Sequence, residues 1–408
     1  MKKRVLKILT FLIILGLVKV ELYGQLANKI EMTNDNQLLG LGTQHIIKSD
    51  ILNEERPIII SLPVGYDNSK ANYPVIYVLD GLQNIKHTVG TVELLTESGL
   101  IPPIIVVGIE SLDRTRDLTP SKAGQNIHGG VGNTGLSQSG GAPKFLEFLS
   151  EELVPYVDSN YRTHPYRILE GHSLGGLFSV YALMENNDLF DAFIVEAPAL
   201  WWNEEEMTEK AKIFFKPDLS LNKTVYFGIG GGDGWGMRQE LIRYINVIKR
   251  NNPKNFKWLH EEDGDEGHMA SRLLLNYNGL RFLFSDLGIN EDLIGNFSAK
   301  AFLTAEEQLK DKYGPMARRP AEEYFNLVSV LVDQENNLGA ITVLKSASEA
   351  YPRYIGLLTY LAKLYERTDQ KNEAIDTYLL GVEVSKRYQL GQEDDLQIEI
   401  DRLHEIQN

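Results

Sequence analysis

The sequence predicts an α/β domain, a mainly parallel central sheet flanked by helices, followed by a small all-α region. Two observations carry this. Between about residues 28 and 287, short Val- and Ile-rich runs alternate with stretches of helical period. From about residue 300 onward only the helical period remains, and it repeats itself.

The apolar runs are Pro57–Leu62, Val75–Leu79, Ile104–Ile109, Arg167–Leu169, Ala192–Val195, Val225–Ile229 and Phe256–His260. Bounded by Gly, Pro and Asp, they predict strands buried on both faces, as in parallel sheets covered by helices. Helices are expected at Phe145–Val157, Leu177–Glu185 and Met237–Lys249; in the first, Phe145, Phe148, Leu149 and Leu153 share one face. In the last quarter, Leu327 and Leu361 are 34 residues apart, as are Ala340 and Ala374, with Pro352 where a hairpin would turn. That period matches tetratricopeptide repeats, with a plain helical bundle as the alternative. One and a half to two units, roughly, are too few to stand alone, so the tail is expected to dock on the α/β body or on a protein partner.

Composition is that of an ordinary globular protein: 408 residues, 43% hydrophobic, 24% charged, with 35 Gly and 15 Pro. The absence of cysteine excludes a disulfide framework, a thiol nucleophile and Cys-based metal sites. A net charge of −15 argues against nucleic acid or an anionic membrane as partner.

The N-terminus has its own character. Lys2, Lys3, Arg4 and Lys7 precede the apolar run Ile8 to Val18, too short for a comfortable span but suited to a signal-peptide core ending near Gly24. An uncleaved anchor is the alternative. Removing residues 1–24 leaves 36 basic against 55 acidic residues, a net −19. The expected division is a signal peptide over 1–24, a catalytic domain over 25–290 and a tetratricopeptide-like region over 300–408. The expected location is periplasmic or secreted, with no membrane contact beyond the signal segment.

Chemistry is concentrated at Gly171-His172-Ser173-Leu174-Gly175, a G-x-S-x-G motif between a strand and a helix. Such a turn lifts the Ser173 hydroxyl clear of the sheet, and the Leu174 N–H can face a developing oxyanion. A serine nucleophile needs a base, which on such a fold follows it in the chain. Of the three later histidines, His404 lies in the tail and His260 inside a predicted strand. His268, in the loop after the last strand, is the expected base. The acid should follow the strand before it, which points to Asp233, with Glu240 in reserve. A second oxyanion donor is expected at the Leu82 N–H, after the strand Val75–Leu79.

Other motifs carry less. Gly130 to Gly135 spells G-x-G-x-x-G, but no strand precedes it, so it reads as a loop. The acidic run Glu261 to Glu266 has its glycines at the wrong offsets for a calcium loop. No metal and no cofactor are expected.

These residues resemble the family of α/β hydrolases known as putative esterases, and within it the siderophore-esterase-like members of the enterobactin and salmochelin type. The resemblance runs from about Ser49 to Phe284 and includes Tyr73 to Gly81, Arg116-Asp117-Leu118-Thr119-Pro120, Gly171 to Leu177 and Pro198-Ala199-Leu200-Trp201-Trp202. It implies the α/β-hydrolase fold, with Ser173 as nucleophile, His268 as base, Asp233 as acid and Leu82 and Leu174 as oxyanion donors. Many relatives place Glu near Asp233, and some siderophore esterases use a Ser–His pair alone. The resemblance makes Trp201 and Trp202 an aromatic wall of the cleft, although on their own they read equally as packing. Arg114 and Arg116 would attract an acidic substrate or serve as surface ion pairs.

The expected activity is hydrolysis of carboxylic esters by an exported serine esterase. The substrate, a small-molecule or polymer-linked ester, would be a siderophore lactone or a feruloyl or acetyl ester. Acyl transfer on the same triad and a catalytically silent binding protein are the alternatives.

Overall fold

The computed structural model describes residues 40–123, 136–185, 188–216 and 218–405. The expected signal segment and the G-x-G-x-x-G stretch lie outside them. Among the described residues, eight strands form one sheet: β1 (Thr43–Ser49), β2 (Glu54–Ser61), β3 (Tyr73–Leu79), β4 (Ile105–Ile109), β5 (Thr163–His172), β6 (Ala192–Glu196), β7 (Ser220–Gly230) and β8 (Lys254–Asp263). Their order is β1-β2-β4-β3-β5-β6-β7-β8. The β1–β2 and β2–β4 pairs are antiparallel, and every pair from β4 to β8 is parallel.

The helices of the catalytic half are α1 (Gly81–Glu97), α2 (Arg114–Leu118), α3 (Ala142–Phe148), α4 (Val154–Asn160), α5 (Leu174–Glu185), α6 (Glu206–Phe214), α7 (Trp235–Asn251) and α8 (Arg272–Leu283). A π-helical stretch, Leu149–Leu153, joins α3 to α4, so the single predicted helix over 145–157 runs through all three. All residues of β3, β4 and β6 are buried. That is why these strands read as unbroken apolar runs. One face, with Tyr77, Leu79, Leu169, Phe193 and Phe227, is covered by α3 to α7. The other, with Ile76, Val78, Ile168 and Ile194, is covered by α1 and α8.

The tail consists of α9 (Glu291–Gly295), α10 (Ala299–Tyr313), α11 (Ala321–Asp333), α12 (Asn337–Ala350), α13 (Ile355–Arg367), α14 (Lys371–Tyr388) and α15 (Glu393–Glu405). The hairpin α13–α14 repeats α11–α12 with an offset of 34 residues. Leu327, Leu361, Ala340 and Ala374, which mark the repeat, are all buried, and Pro352 lies in the turn between hairpins. From Leu41 onward the chain is one compact unit. The join is polar and aromatic together. Tyr313 stacks edge-on against Tyr166 of β5 at 4.8 Å and donates its hydroxyl proton to Asp286 at 2.6 Å. Arg319 reaches Glu306 at 2.5 Å and the Gly288 carbonyl at 2.6 Å. Among the described residues, no helix is long and apolar enough to cross a membrane.

Candidate active site

The candidate residues gather at the carboxyl ends of the parallel strands, where an open α/β sheet offers its crevice. Ser173 follows β5 directly and adopts φ 61°, the left-handed region that a non-glycine residue enters only at a cost. Its backbone is pinned on both sides. The Ser173 N–H donates to the Glu196 carbonyl at 3.0 Å, and its carbonyl accepts from Leu177 and Ala199, both at 2.9 Å. Gly171 is required by the same bend, since a Cβ there would stand 2.3 Å from the Gly175 carbonyl oxygen. The result is a half-buried serine at the start of α5 with little freedom to relax.

His268 follows β8 and Asp233 follows β7. His268 Nδ1 lies 2.9 Å from Asp233 Oδ2, while Asp233 Oδ1 accepts from the Gly234 N–H at 2.8 Å. An ionised carboxylate only accepts, so Nδ1 carries a proton, which makes Nε2 the basic nitrogen of the neutral ring. Burial alone would raise the Asp233 carboxyl, which is 7% exposed. The hydrogen bond and charge of His268, with the Gly234 N–H, outweigh it and hold the group below the usual carboxylate range. The supporting loop is tied down by Gly231 N–H to the Asp263 carbonyl and Gly232 N–H to the Glu266 carbonyl, at 3.2 and 3.1 Å. Glu240 sits on α7; of the two candidate acids, Asp233 is the one bonded to His268.

Ser173 and His268 are linked through His172. The His172 ring lies 4.4 Å from the His268 ring, and its Nε2–H donates to the His268 carbonyl at 2.7 Å. Burial, aided by the positive charge of neighbouring groups, presses the His172 imidazole down to about 3, so it stays neutral and holds that bond across the working range. The Ser173 hydroxyl itself bonds to no described residue. Such links are often open in an empty site and tighten when substrate binds.

The two expected oxyanion donors differ. The Leu174 N–H has no partner among the described residues, whereas the Leu82 N–H donates to Glu110 Oε2 at 3.0 Å. Arg114 braces the region, binding Asp80 through Nε at 2.9 Å and the His172 carbonyl through Nη2 at 3.0 Å. Arg116 bonds Asp117 at 2.7 Å and Glu54 at 2.9 Å, and no contact joins it to Ser173 or His268. Trp202 is 1% exposed, with its indole N–H on Ser121 at 3.3 Å, so of the tryptophan pair only Trp201 keeps surface for a ligand. His260 lies within β8 and His404 is exposed on α15. Among the described residues, no group of three acidic or imidazole side chains could hold a metal ion.

Two contributors escaped the sequence reading, His172 and a buried acid layer beneath the serine, while Arg114 takes the ion-pair role, on Asp80. Only His172 had a local signal, since the last residue of a strand leading into the candidate nucleophile turn keeps the strand's alternation of faces. Glu170 and Glu196, each 1% exposed, share the face of His172. Glu170 accepts from Asn276 at 2.9 Å and Thr88 at 3.2 Å, while Glu196 Oε1 has no hydrogen-bond partner. Burial raises Glu170 to about 7, against the pull of those two donors. Burial and the adjacent Glu170 raise Glu196 well above the usual range, partly offset by Arg272. Both groups hold a proton in the folded protein where the unfolded chain has lost it. The stability Glu170 gives in this way is full below about pH 4.5 and is lost as pH rises through about 7, and the contribution of Glu196 likewise begins to fall above about pH 4.5. Glu196→Gln is therefore expected to flatten the fall in melting temperature between about pH 5 and about pH 8. Parallel wild-type and variant curves in thermal melts would rule this out.

The profile of the family described as "Putative esterase" matches residues 49–271, more than half of the chain. The chain belongs to that family. It is an ester hydrolase of the α/β-hydrolase fold. This esterase is 29% identical over 231 residues to ferri-bacillibactin esterase BesA of Bacillus subtilis (strain 168), a match covering 52% of this chain and 79% of that one. The crystal structure of an IroE-like serine hydrolase from Shewanella oneidensis superposes with a TM-score of 0.61 at 25% identity, over 75% of this chain and 99% of that chain. An uncharacterised protein from Capnocytophaga ochracea shares the fold at 16% identity, with a TM-score of 0.62 over 89% of this chain and 99% of that chain. The esterase is thus siderophore-esterase-like, as the motifs from Tyr73 to Trp202 imply.

Proposed function

We propose that this esterase is an exported serine hydrolase whose triad is Ser173, His268 and Asp233. The observation that carries the reading is the left-handed serine at a strand–helix turn, with a hydrogen-bonded His–Asp pair on neighbouring strand ends. His268 Nε2 takes the hydroxyl proton as Ser173 Oγ bonds to the ester carbonyl carbon. The tetrahedral oxyanion sits between the N–H groups of Leu82 and Leu174. When the C–O bond to the alcohol breaks, His268 returns the proton to the leaving oxygen, giving an acyl-enzyme. Water then attacks with His268 again as base, and Ser173 recovers its proton as the acid leaves. Asp233 holds the imidazole in the Nδ1–H form and stabilises it when charged.

The substrate class is an ester with a bulky apolar or aromatic acyl part, of the siderophore kind its relatives' names describe. Leu82, Leu112 and Met269 support this. They are 58, 51 and 55% exposed, within two residues along the chain of Gly81, Glu110 and His268, and offer apolar surface that water covers unfavourably. The basic and apolar pattern of residues 1–24 supports export. The test is hydrolysis of p-nitrophenyl acetate with parallel labelling by a fluorophosphonate. Turnover with one adduct on the Ser173 peptide is expected; turnover with the adduct elsewhere, or with none, would overturn the assignment.

A further inference from the structure

We propose that Glu110 is the resting occupant of the oxyanion hole, and that substrate must displace its carboxylate before acylation. This rests on the serine-esterase reading above. The Leu82 N–H belongs to the first turn of α1, where backbone donors have no partner within the helix. The residue that would normally cap them, Asp80, is left-handed at φ 52°, and its carboxylate is taken by Arg114. The vacancy is filled from β4. The start of α1 is pressed onto the end of that strand so closely that a Cβ on Gly81 would stand 2.8 Å from the Gly108–Ile109 peptide. One residue further on, Glu110 reaches back and accepts the Leu82 proton at 3.0 Å.

The backbone and side chain of Glu110 are held differently. Its N–H donates to the Pro57 carbonyl at 3.2 Å, and its carbonyl accepts from Arg56 at 2.7 Å. The carboxylate has no partner among the described residues other than the Leu82 N–H, and the residue is half-buried. It can therefore swing into water without disturbing the sheet. One N–H serves one acceptor, so the carbonyl oxygen of a bound ester and the Glu110 carboxylate exclude each other. The conflict grows as the carbonyl becomes an oxyanion, because two negative charges would then share one donor. The Leu174 N–H has no such occupant among the described residues. Glu110 thereby sets how much substrate binding energy goes into clearing the hole, and so controls KM more than kcat.

Glu110→Ala is expected to lower KM for p-nitrophenyl acetate about tenfold with kcat within about twofold, the size expected for release of one charge-assisted hydrogen bond. Binding of phenylboronic acid, whose serine adduct places a hydroxyl in the hole, should tighten by a similar factor. Glu110→Gln keeps an acceptor without its charge and should gain less, about threefold. A residue that only caps α1 would lower the melting temperature in both variants and leave KM and boronate affinity unchanged, which would overturn the proposal. Ser173→Ala, run alongside, separates the two claims. If that variant turns over normally the serine reading fails; if it is inactive while Glu110→Ala kinetics match wild type, only the gate fails.

Discussion

Ser173→Ala is expected to lower kcat by about a million-fold while leaving the melting temperature within a degree or two of wild type. The size follows from the proposed chemistry, since alanine has no hydroxyl with which to form the acyl-enzyme. The small effect on stability follows from the backbone, because alanine keeps the Cβ, the left-handed φ of 61° and the hydrogen bonds to Glu196, Leu177 and Ala199. Glycine at the same place tolerates positive φ freely. Ser173→Gly should be as inactive but more stable by about 1 kcal/mol, measured by denaturant unfolding. An equal loss of stability in both variants would mean that the turn is not strained by its serine. Substantial turnover in either would remove Ser173 from the mechanism.

His268→Ala is expected to match Ser173→Ala in kcat, because nucleophile and base act as a unit. Asp233→Asn should lose about 10⁴, less than either. The difference is diagnostic. With asparagine the Nδ1 partner can donate, which favours the wrong imidazole tautomer and turns the Nε2 lone pair into a proton. A loss below about tenfold for Asp233→Asn would instead favour a Ser–His pair that works without an acid. The double variant with Ser173→Ala should be no worse than Ser173→Ala alone, since the members of such a unit are not additive.

Much of this was legible in the sequence, for physical reasons. Strands β3, β4 and β6 are buried on both faces and so carry an apolar residue at nearly every position. Strand β1 was missed because it is the sheet's edge. Only Ile47 and Ser49 are buried in it, and Thr43, Gln44, Ile46 and Lys48 face solvent. Ser173 and His268 could be singled out as candidates because strand, turn and chain order constrain them. Asp233 sits in a glycine-rich run that reads as mobile, yet the loop at 263–266 holds it and buries its carboxylate. The pairings of Glu110 and Arg114 could not have been found this way. Their partners Leu82 and Asp80 lie 28 and 34 residues away, and nothing local marks a pairing made only when β4 comes to lie beside β3.

The region that matches the family ends at residue 271, but the inner wall of the enzyme does not. Leu309, Tyr313 and Ala317 complete the apolar cluster that backs Ile76, Ile168 and Ile194, and Tyr313 closes over Tyr166 and Phe284. The last quarter of the chain therefore serves the catalytic half as part of its own interior. Homology and autonomy have different borders here. Cutting the chain after residue 290 would uncover the apolar surface that Leu309, Tyr313 and Ala317 close, so the catalytic half of this protein is expected to lose stability without its tail.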